Sequence, residues 1–391
     1  MSFISKRTSL GVLEELVRRH HGTSSGIPVT SERALRHSAV WGSLAAISEA
    51  LVGLPLEEVT KSGSSVIHKD PPDLFFQPAP HETWESWIWQ QVWTLAGKGR
   101  CYAMLTDFDA NGWPTEMVPI PDESVSWHFD RRHNRWVTKV ENVEHKRWPL
   151  GPLWHCPLYP LPGRPQGMSP IAFHAETIGV GLAAQEFGAR FFGDGGHPTM
   201  VVQSEKDPGI KGAQALKDLI ISVTRGNREP VVLPKGTSLE RWQVSPDESQ
   251  FLDTMRYSGE DVTRIFGVPP GKIGLAVSGQ NVTYSNVTDA NADWRVSGLT
   301  RYVTPLEANL TRLIPGGRSR SLRFNFHAFL RADLAGRASA YKIWAEIGQL
   351  AGTPVMLPNE MRAAEGLPPL EGGDEFARTQ QTPQPREASH A

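Results

Sequence analysis

The sequence predicts an α+β chain in which helices and strands occupy separate stretches. Apolar residues recur at helical spacing over residues 38–54, and long helical segments return from residue 169 onward. Between them, residues 101–158 hold five short runs bounded by Gly, Pro, Asn or Asp, the pattern of short strands in a small antiparallel sheet. Runs of helix followed by runs of strand are the mark of α+β architecture.

The first helix places Val40, Trp41, Leu44, Ala45, Ile47, Ala50 and Leu51 at helical spacing, and Gly53 with Pro55 stops it. A loop through Asp70, Pro71 and Pro72 leads to a second helix over 81–96. Its tryptophans Trp84, Trp87, Trp89 and Trp93 fall on more than one face, which predicts burial between layers. Strands follow at 101–106, 117–120, 125–129, 136–140 and 153–158. Ser169 then stands as an N-cap with Pro170 at the first helical position. That helix is expected to run to Phe192, about 23 residues or roughly 35 Å. A compact insert comes next, with strands at 200–203, 230–233 and 239–244 and a helix over 211–223. Ser245 and Glu248 form a capping box for the helix that ends at Phe266-Gly267. A helix over 285–313 carries Pro305, which predicts a kink through a lost backbone bond and a ring clash. A strand at 322–326 and helices at 335–350 and 358–365 close the ordered part. Residues 1–34 read as a mobile arm, and residues 376–391 as a polar disordered tail.

The totals narrow the function. A chain of 391 residues suffices for two or three domains or one elaborate subunit. A net charge of -2 excludes holding nucleic acid by bulk electrostatics, so contact with DNA would be loose or transient. Cys101 and Cys156 make no disulfide framework and fit a reducing compartment. Residues 1–30 lack the apolar core of a secretory signal, so the sequons at Asn281, Asn286 and Asn309 carry no glycosylation meaning. No apolar run reaches the roughly 18–20 residues of a membrane span. The chain reads as soluble and cytosolic.

Residues 267–281 form the most informative stretch, a Gly- and Pro-framed loop joining two helices. Ile273, Leu275 and Val277 are too apolar for a solvated linker, and the glycines and serines are too many for a core element. Gly271-Lys272 falls one residue short of a phosphate-loop spacing, Ile273 replaces the magnesium-binding hydroxyl, and two prolines remove N–H donors. The scattered histidines include no His-Glu-x-x-His pair, and His155-Cys156 reads as packed or surface-placed rather than ligating. No Gly-x-Ser-x-Gly elbow is present, and Asp261 with Arg264 reads as a helix-surface ion pair. The tryptophans between Trp84 and Trp154 lack an interleaved basic stripe, so core packing outweighs a stacking platform for single strands. The small residues at Gly179, Gly181, Ala183, Ala184, Gly188 and Ala189 fit either a buried helical hairpin or helices packed against copies of themselves in a ring.

Several segments in combination carry a resemblance. They are Ser38-Ala-Val-Trp41 with Leu54-Pro55; Gly167-Met-Ser-Pro170; Glu176-Thr-Ile-Gly179; Gly188-Ala-Arg-Phe-Phe-Gly193; Ser245-Pro-Asp-Glu-Ser-Gln-Phe-Leu252; Ile265-Phe-Gly-Val-Pro-Pro270; Tyr284-Ser-Asn286; and Pro358-Asn-Glu-Met-Arg362 with Gly372-Gly-Asp374. Over residues 40–375 the chain resembles the portal, or head-to-tail connector, proteins of tailed bacteriophages. The resemblance implies a structural, non-enzymatic subunit of a ring, dodecameric in the virion, at one capsid vertex. It implies a wing at 35–167, a first stem helix at 168–196, a clip at 197–244 and a second stem helix at 245–267. A tunnel loop at 268–284, a kinked tunnel helix at 285–314, a wing return strand at 315–334 and a short crown at 335–375 follow. Implied partners are double-stranded DNA in the channel, the terminase large subunit, the head-tail adaptor, and the major capsid protein with its scaffold. No cofactor, metal or catalytic residue is implied, and no membrane; assembly would take place in the host cytoplasm. The tunnel-loop candidates are Lys272, Ser278, Gln280 and Asn281, with the kink at Pro305. Clip docking would fall to Lys206, Lys211, Arg225, Arg228 and Lys235. Two other readings stay open: a packaging ATPase, which lacks its phosphate loop and acidic magnesium ligands here, and a different ring-forming capsid or adaptor protein.

Overall fold

A computed structural model of the chain describes residues 23, 26–62, 65–193, 199–204, 209–212, 214, 215, 218, 237–242, 248–275, 290–326 and 334–375. The expected strand at 230–233, most of the helix over 211–223, the Ser245 cap and the tail from 376 lie outside the described residues. Those within Met1–Gln280 and Trp294–Phe324 form one compact unit, and those within Asn281–Asp293 and Asn325–Ala391 form a second.

In the first unit, helix α1 (Ser38–Val52) turns Val40, Leu44, Ile47 and Leu51 to one face, and all four are buried. His37 caps it, its Nδ1 accepting from the Ala39 N–H. Helix α2 (Trp84–Lys98) lies against α1. Thr83 Oγ1 accepts from the Ser86 N–H at its start, and Gly99 closes it at φ +72°. Gly99 has no alternative there, because a Cβ would sit 1.7 Å from the Met168 carbonyl oxygen. The helix begins three residues later than its apolar pattern suggests, because Thr83 supplies the cap. Trp84 and Trp87 are buried and stack on each other, with ring centroids 5.4 Å apart. Trp89 and Trp93 are only half-buried. The arm is shorter than expected: Ile27, Val29 and Ala34 are buried, and a helical turn at Ser31–Ala34 is capped by Thr30.

The strands form more than one sheet. Ahead of the expected loop at Asp70, Pro71 and Pro72, strands β1 (Leu56–Ser62) and β2 (Ser65–Lys69) make a hairpin that the sequence pattern does not announce, and β11 (Arg320–Phe324) pairs with β1 to complete a sheet in the order β11-β1-β2. Strands β3 (Arg100–Phe108), β4 (Pro114–Ile120) and β8 (Leu153–Pro157) form a second sheet with β3 central. Strands β5 (Val125–Asp130), β6 (Arg135–Val140) and β7 (Val143–His145) form a third. All these pairings are antiparallel. One small sheet was expected over residues 101–158; two arise because Pro121 and the helical turn at Asp122–Ser124 redirect the chain between β4 and β5. A shared core of Tyr102, Val125 and Leu153, with Ile120, Trp127 and Val140 against it, joins the two.

Ser169 caps as expected, accepting from the Ala172 N–H at 3.2 Å while donating to the Gly97 carbonyl at 2.9 Å. The helix it starts is not continuous. A short turn, Pro170–Phe173, ends at His174 (φ -103°, ψ 28°), and helix α3 (Ala175–Gly193) starts afresh. The 19 residues of α3 span about 29 Å. Strands β9 (Thr199–Ser204) and β10 (Thr237–Trp242) pair antiparallel. Helix α4 (Glu248–Phe266) packs along α3 and α1. Gly181 marks a close approach, since a Cβ there would lie 2.2 Å from His37 Nε2 and 2.3 Å from Ser258 Oγ. Helix α5 (Thr300–Thr311) runs along β11. In the second unit, helices α6 (Leu334–Ala351) and α7 (Pro358–Ala364) are tied by Glu365, which accepts from Arg337 on both oxygens at 3.0 Å and from the Tyr341 hydroxyl at 2.6 Å.

Candidate functional site

The Gly- and Pro-framed loop leaves the end of α4, and its first nine residues, 267–275, are described. Gly267 adopts φ +68°, and the Val268 N–H returns to the Thr263 carbonyl at 3.0 Å, a glycine-closed helix end. Pro269 and Pro270 open a single 3-10 turn, Pro270–Ile273, and Gly274 ends it at φ +76°. The turn folds back on the helices. Ile273 contacts the Gly42 position of α1, and Leu275 contacts the Gly259 position of α4, where added Cβ atoms would meet them at 3.3 and 3.2 Å.

The last carbonyls of α4 find partners on the next helix. Tyr302 donates its hydroxyl to the Phe266 carbonyl at 2.9 Å, and Trp294 Nε1 donates to the Gly267 carbonyl at 3.0 Å. These satisfy helix-end acceptors that would otherwise be orphaned. Tyr302 is fully buried, and burial pushes its hydroxyl pKa well above the usual range. Between the two donors the backbone is a π-helical turn, Arg295–Leu299, bridged by a Thr300 hydroxyl bond to the Arg295 carbonyl at 2.7 Å. Gly298 lies so close to the loop root that a Cβ would sit 2.2 Å from the Gly267 carbonyl oxygen. π turns are rare and, where they occur inside α-helices, are often found at functional sites. The loop root is thus clamped on three sides.

Lys272 sits on the 3-10 turn Pro270–Ile273, with its ammonium 5.6 Å from the centre of the Trp294 ring. Burial lowers its pKa, although the residue as a whole is exposed. Ser278, Gln280 and Asn281 lie outside the described residues, as do Lys206, Arg225, Arg228 and Lys235. Lys211 is described and exposed. Helix α5 continues through Pro305, whose carbonyl accepts from Asn309 Nδ2 at 2.8 Å; the departure from α geometry that the structure shows is the π turn before it. Asp261 and Arg264 make the expected ion pair. His155 is buried between Tyr102, at 4.9 Å, and Trp127, at 5.1 Å. Its Nε2 faces the Gln166 carbonyl, and burial pushes its pKa down to about 3, so it is a packed neutral imidazole. Among the described residues no helix is long and apolar enough to cross a membrane.

Sequence reasoning did not single out Trp294, Gly298 or Tyr302. The one local signal was a tryptophan and a glycine four residues apart, following a Gly-rich loop.

Comparison with known proteins bears on this arrangement. A sequence profile described as phage portal protein matches residues 38–366. A probable portal protein of Streptomyces phage phiC31 is 26% identical over 366 residues, covering 90% of this chain and 79% of the relative. The crystal structure of an HK97 family phage portal protein from Corynebacterium diphtheriae has a similar fold, with a TM-score of 0.57 at 17% identity, covering 76% of this chain and 95% of that one. A chain from the neck of a native gene transfer agent particle, computed with C12 symmetry, gives a TM-score of 0.55 at 18% identity, covering 86% of this chain and 93% of that one. With the profile spanning most of its length, the chain belongs to the phage portal protein family.

Proposed function

We propose that this subunit assembles with copies of itself into a ring, a dodecamer in the particle, at one vertex of a capsid, and that double-stranded DNA enters and leaves through its axis. Helices α3 and α4 form the stem, residues 197–244 the clip that docks the terminase and later the head-tail adaptor, and residues 335–375 the crown. Residues 268–284 line the channel. The three sheets, with α1 and α2, make the wing that faces the major capsid protein and its scaffold. No chemical step is assigned to the chain.

The observation that carries this reading is the anchored loop. Its root is clamped by Trp294, Gly298 and Tyr302, while Lys272 is the only charged residue from 268 to 283. A wall that gripped phosphates strongly would stall a moving duplex, because each cation–phosphate contact adds affinity through counterion release. A polar, nearly uncharged loop on a rigid base suits sliding. Ring formation draws support from α3, whose Val180 and Phe187, seven residues apart, leave about half their surface exposed at 46% and 51%. Half-exposed apolar side chains at this spacing lie along one helix face and fit a second copy. Negative-stain imaging of the purified protein tests the proposal: rings with an axial hole are expected, and solid or monomeric particles at all concentrations overturn it.

A further inference from the structure

A cavity of about 490 Å³ opens between β6, β7, the segment at 146–150, β8 and α5. It is of the size that holds a small molecule. Four cationic side chains line it: Arg135, Lys146, Arg147 and Arg312. The single lining carboxylate, Glu144, faces Arg135 at 3.5 Å. Among the described residues the other three cations meet no carboxylate within ion-pair distance.

Arg147 and Arg312 are held at the same rim. Trp148 Nε1 donates to the Arg312 carbonyl at 2.7 Å, and Arg312 Nη2 donates back to the Trp148 carbonyl at 3.1 Å, one residue from Arg147. The Arg147 guanidinium lies 4.9 Å above the Trp127 ring, and among the described residues it donates no hydrogen bond. Burial and the positive charge of Arg312 both lower its pKa, so the two like charges are close enough to repel. Their juxtaposition costs energy that a nearby anion relieves. Trp136, Trp148 and Trp154 supply the cavity's flat walls.

We propose that this cavity binds a phosphate group, held by Arg147 and Arg312 with Lys146 nearby. Planar guanidinium forks match phosphate oxygens in pairs. With Glu144 facing Arg135, three cations remain, and a phosphate dianion offsets more of their charge than a single carboxylate would. The phosphate comes either free or on a nucleotide, whose base would stack on the tryptophan walls.

Titrating the full-length protein with sodium phosphate and, separately, with AMP at low salt tests this, read by calorimetry and by quenching of the cavity tryptophans. Saturable binding is expected for phosphate. Affinity tighter by about tenfold for AMP assigns the nucleotide source, and equal affinity assigns the free ion. Arg312→Gln removes a bond to the Trp148 carbonyl and risks the local fold, so Arg147→Gln, which breaks no hydrogen bond, is the deciding variant. It should weaken binding at least about tenfold, while Arg131→Gln, outside the cavity, leaves it unchanged. Undiminished binding by Arg147→Gln overturns the proposal, as does absence of binding up to about 10 mM ligand. Binding of duplex DNA without binding of either small ligand also overturns it. So does loss of ring assembly in Arg147→Gln with no small-ligand binding to the parent protein, which would place these arginines at a contact between copies.

Discussion

At the scale of single residues, Gly181 and His155 set limits that composition does not reveal. Alanine is a better helix former than glycine by up to about 1 kcal/mol, so Gly181→Ala would stabilise an isolated helix. Here the new methyl would press on His37 Nε2 and Ser258 Oγ at 2.2 and 2.3 Å, and both residues are buried. Overpacking of that kind costs about 1–3 kcal/mol and outweighs the propensity gain, so the variant should melt at a lower temperature in a thermal scan. His155 predicts a pH dependence. Its folded pKa is near 3, against 6.5 when exposed, because burial between Tyr102 and Trp127 disfavours the cation and Arg147 and Arg100 add repulsion. Between those values the unfolded chain binds the proton and the folded chain does not, so stability is full above pH 6.5 and falls as the pH drops. His37 and His174, whose pKa values burial also lowers, act in the same direction. Denaturant unfolding at pH 7.5, 6 and 5 should therefore show a loss that His155→Phe reduces by up to about 1.4 kcal/mol per pH unit. Equal slopes in the parent and the variant would remove His155 from this role.

At the scale of elements, the sheet built from the two ends of the chain depends on a buried ion pair. Glu58 is only 3% exposed, and Arg320 Nε donates to its Oε1 at 2.7 Å, 262 residues away in sequence. The Arg320 hydrogen bond holds the Glu58 carboxyl below its ordinary pKa. On the same strand, Glu307 of α5 accepts from the Phe324 N–H at 2.9 Å, and Thr311 Oγ1 accepts from the Leu322 N–H at 2.9 Å. Arg320→Ala leaves a buried carboxylate without its cation and should cost about 3 kcal/mol; Glu58→Gln with Arg320→Ala should recover part of it. Chemical denaturation of the two variants measures the difference. The same sheet shows why some elements are legible in sequence and others are not. Helix α1 and the strands at 101–158 announce themselves because their periodicity or their Gly and Pro boundaries are local. Strand β1 reads Leu-Glu-Glu-Val-Thr-Lys-Ser, with three charges in seven residues, and is a strand because β11 pairs with it from far along the chain. Likewise Gly267, Pro269 and Pro270 mark the loop root in sequence, whereas Trp294 and Tyr302 act by donating to distant carbonyls, which leaves no local pattern.

At the scale of the whole molecule, the channel reading makes Lys272 a charge repeated once per subunit around a ring. The residue is exposed, and its contact with Trp294 at 5.6 Å is worth about 0.5–1 kcal/mol. The clamp on the loop root, from Trp294 Nε1 to the Gly267 carbonyl, involves no charge and survives a substitution at Lys272. Changing the sign of the ring therefore separates function from assembly. Lys272→Glu puts a carboxylate on every subunit, and the ring then repels phosphates within a Debye length of about 8–10 Å, whereas Lys272→Gln only removes the attraction. Counting DNA-filled against empty particles, with ring integrity followed by negative stain, distinguishes the two effects. The filled fraction should fall by roughly tenfold in Lys272→Glu and by less in Lys272→Gln, with rings intact in both. An unchanged filled fraction in Lys272→Glu would remove this side chain from contact with DNA while leaving the ring itself standing. Loss of rings in both variants would instead move Lys272 from the channel wall to a subunit contact.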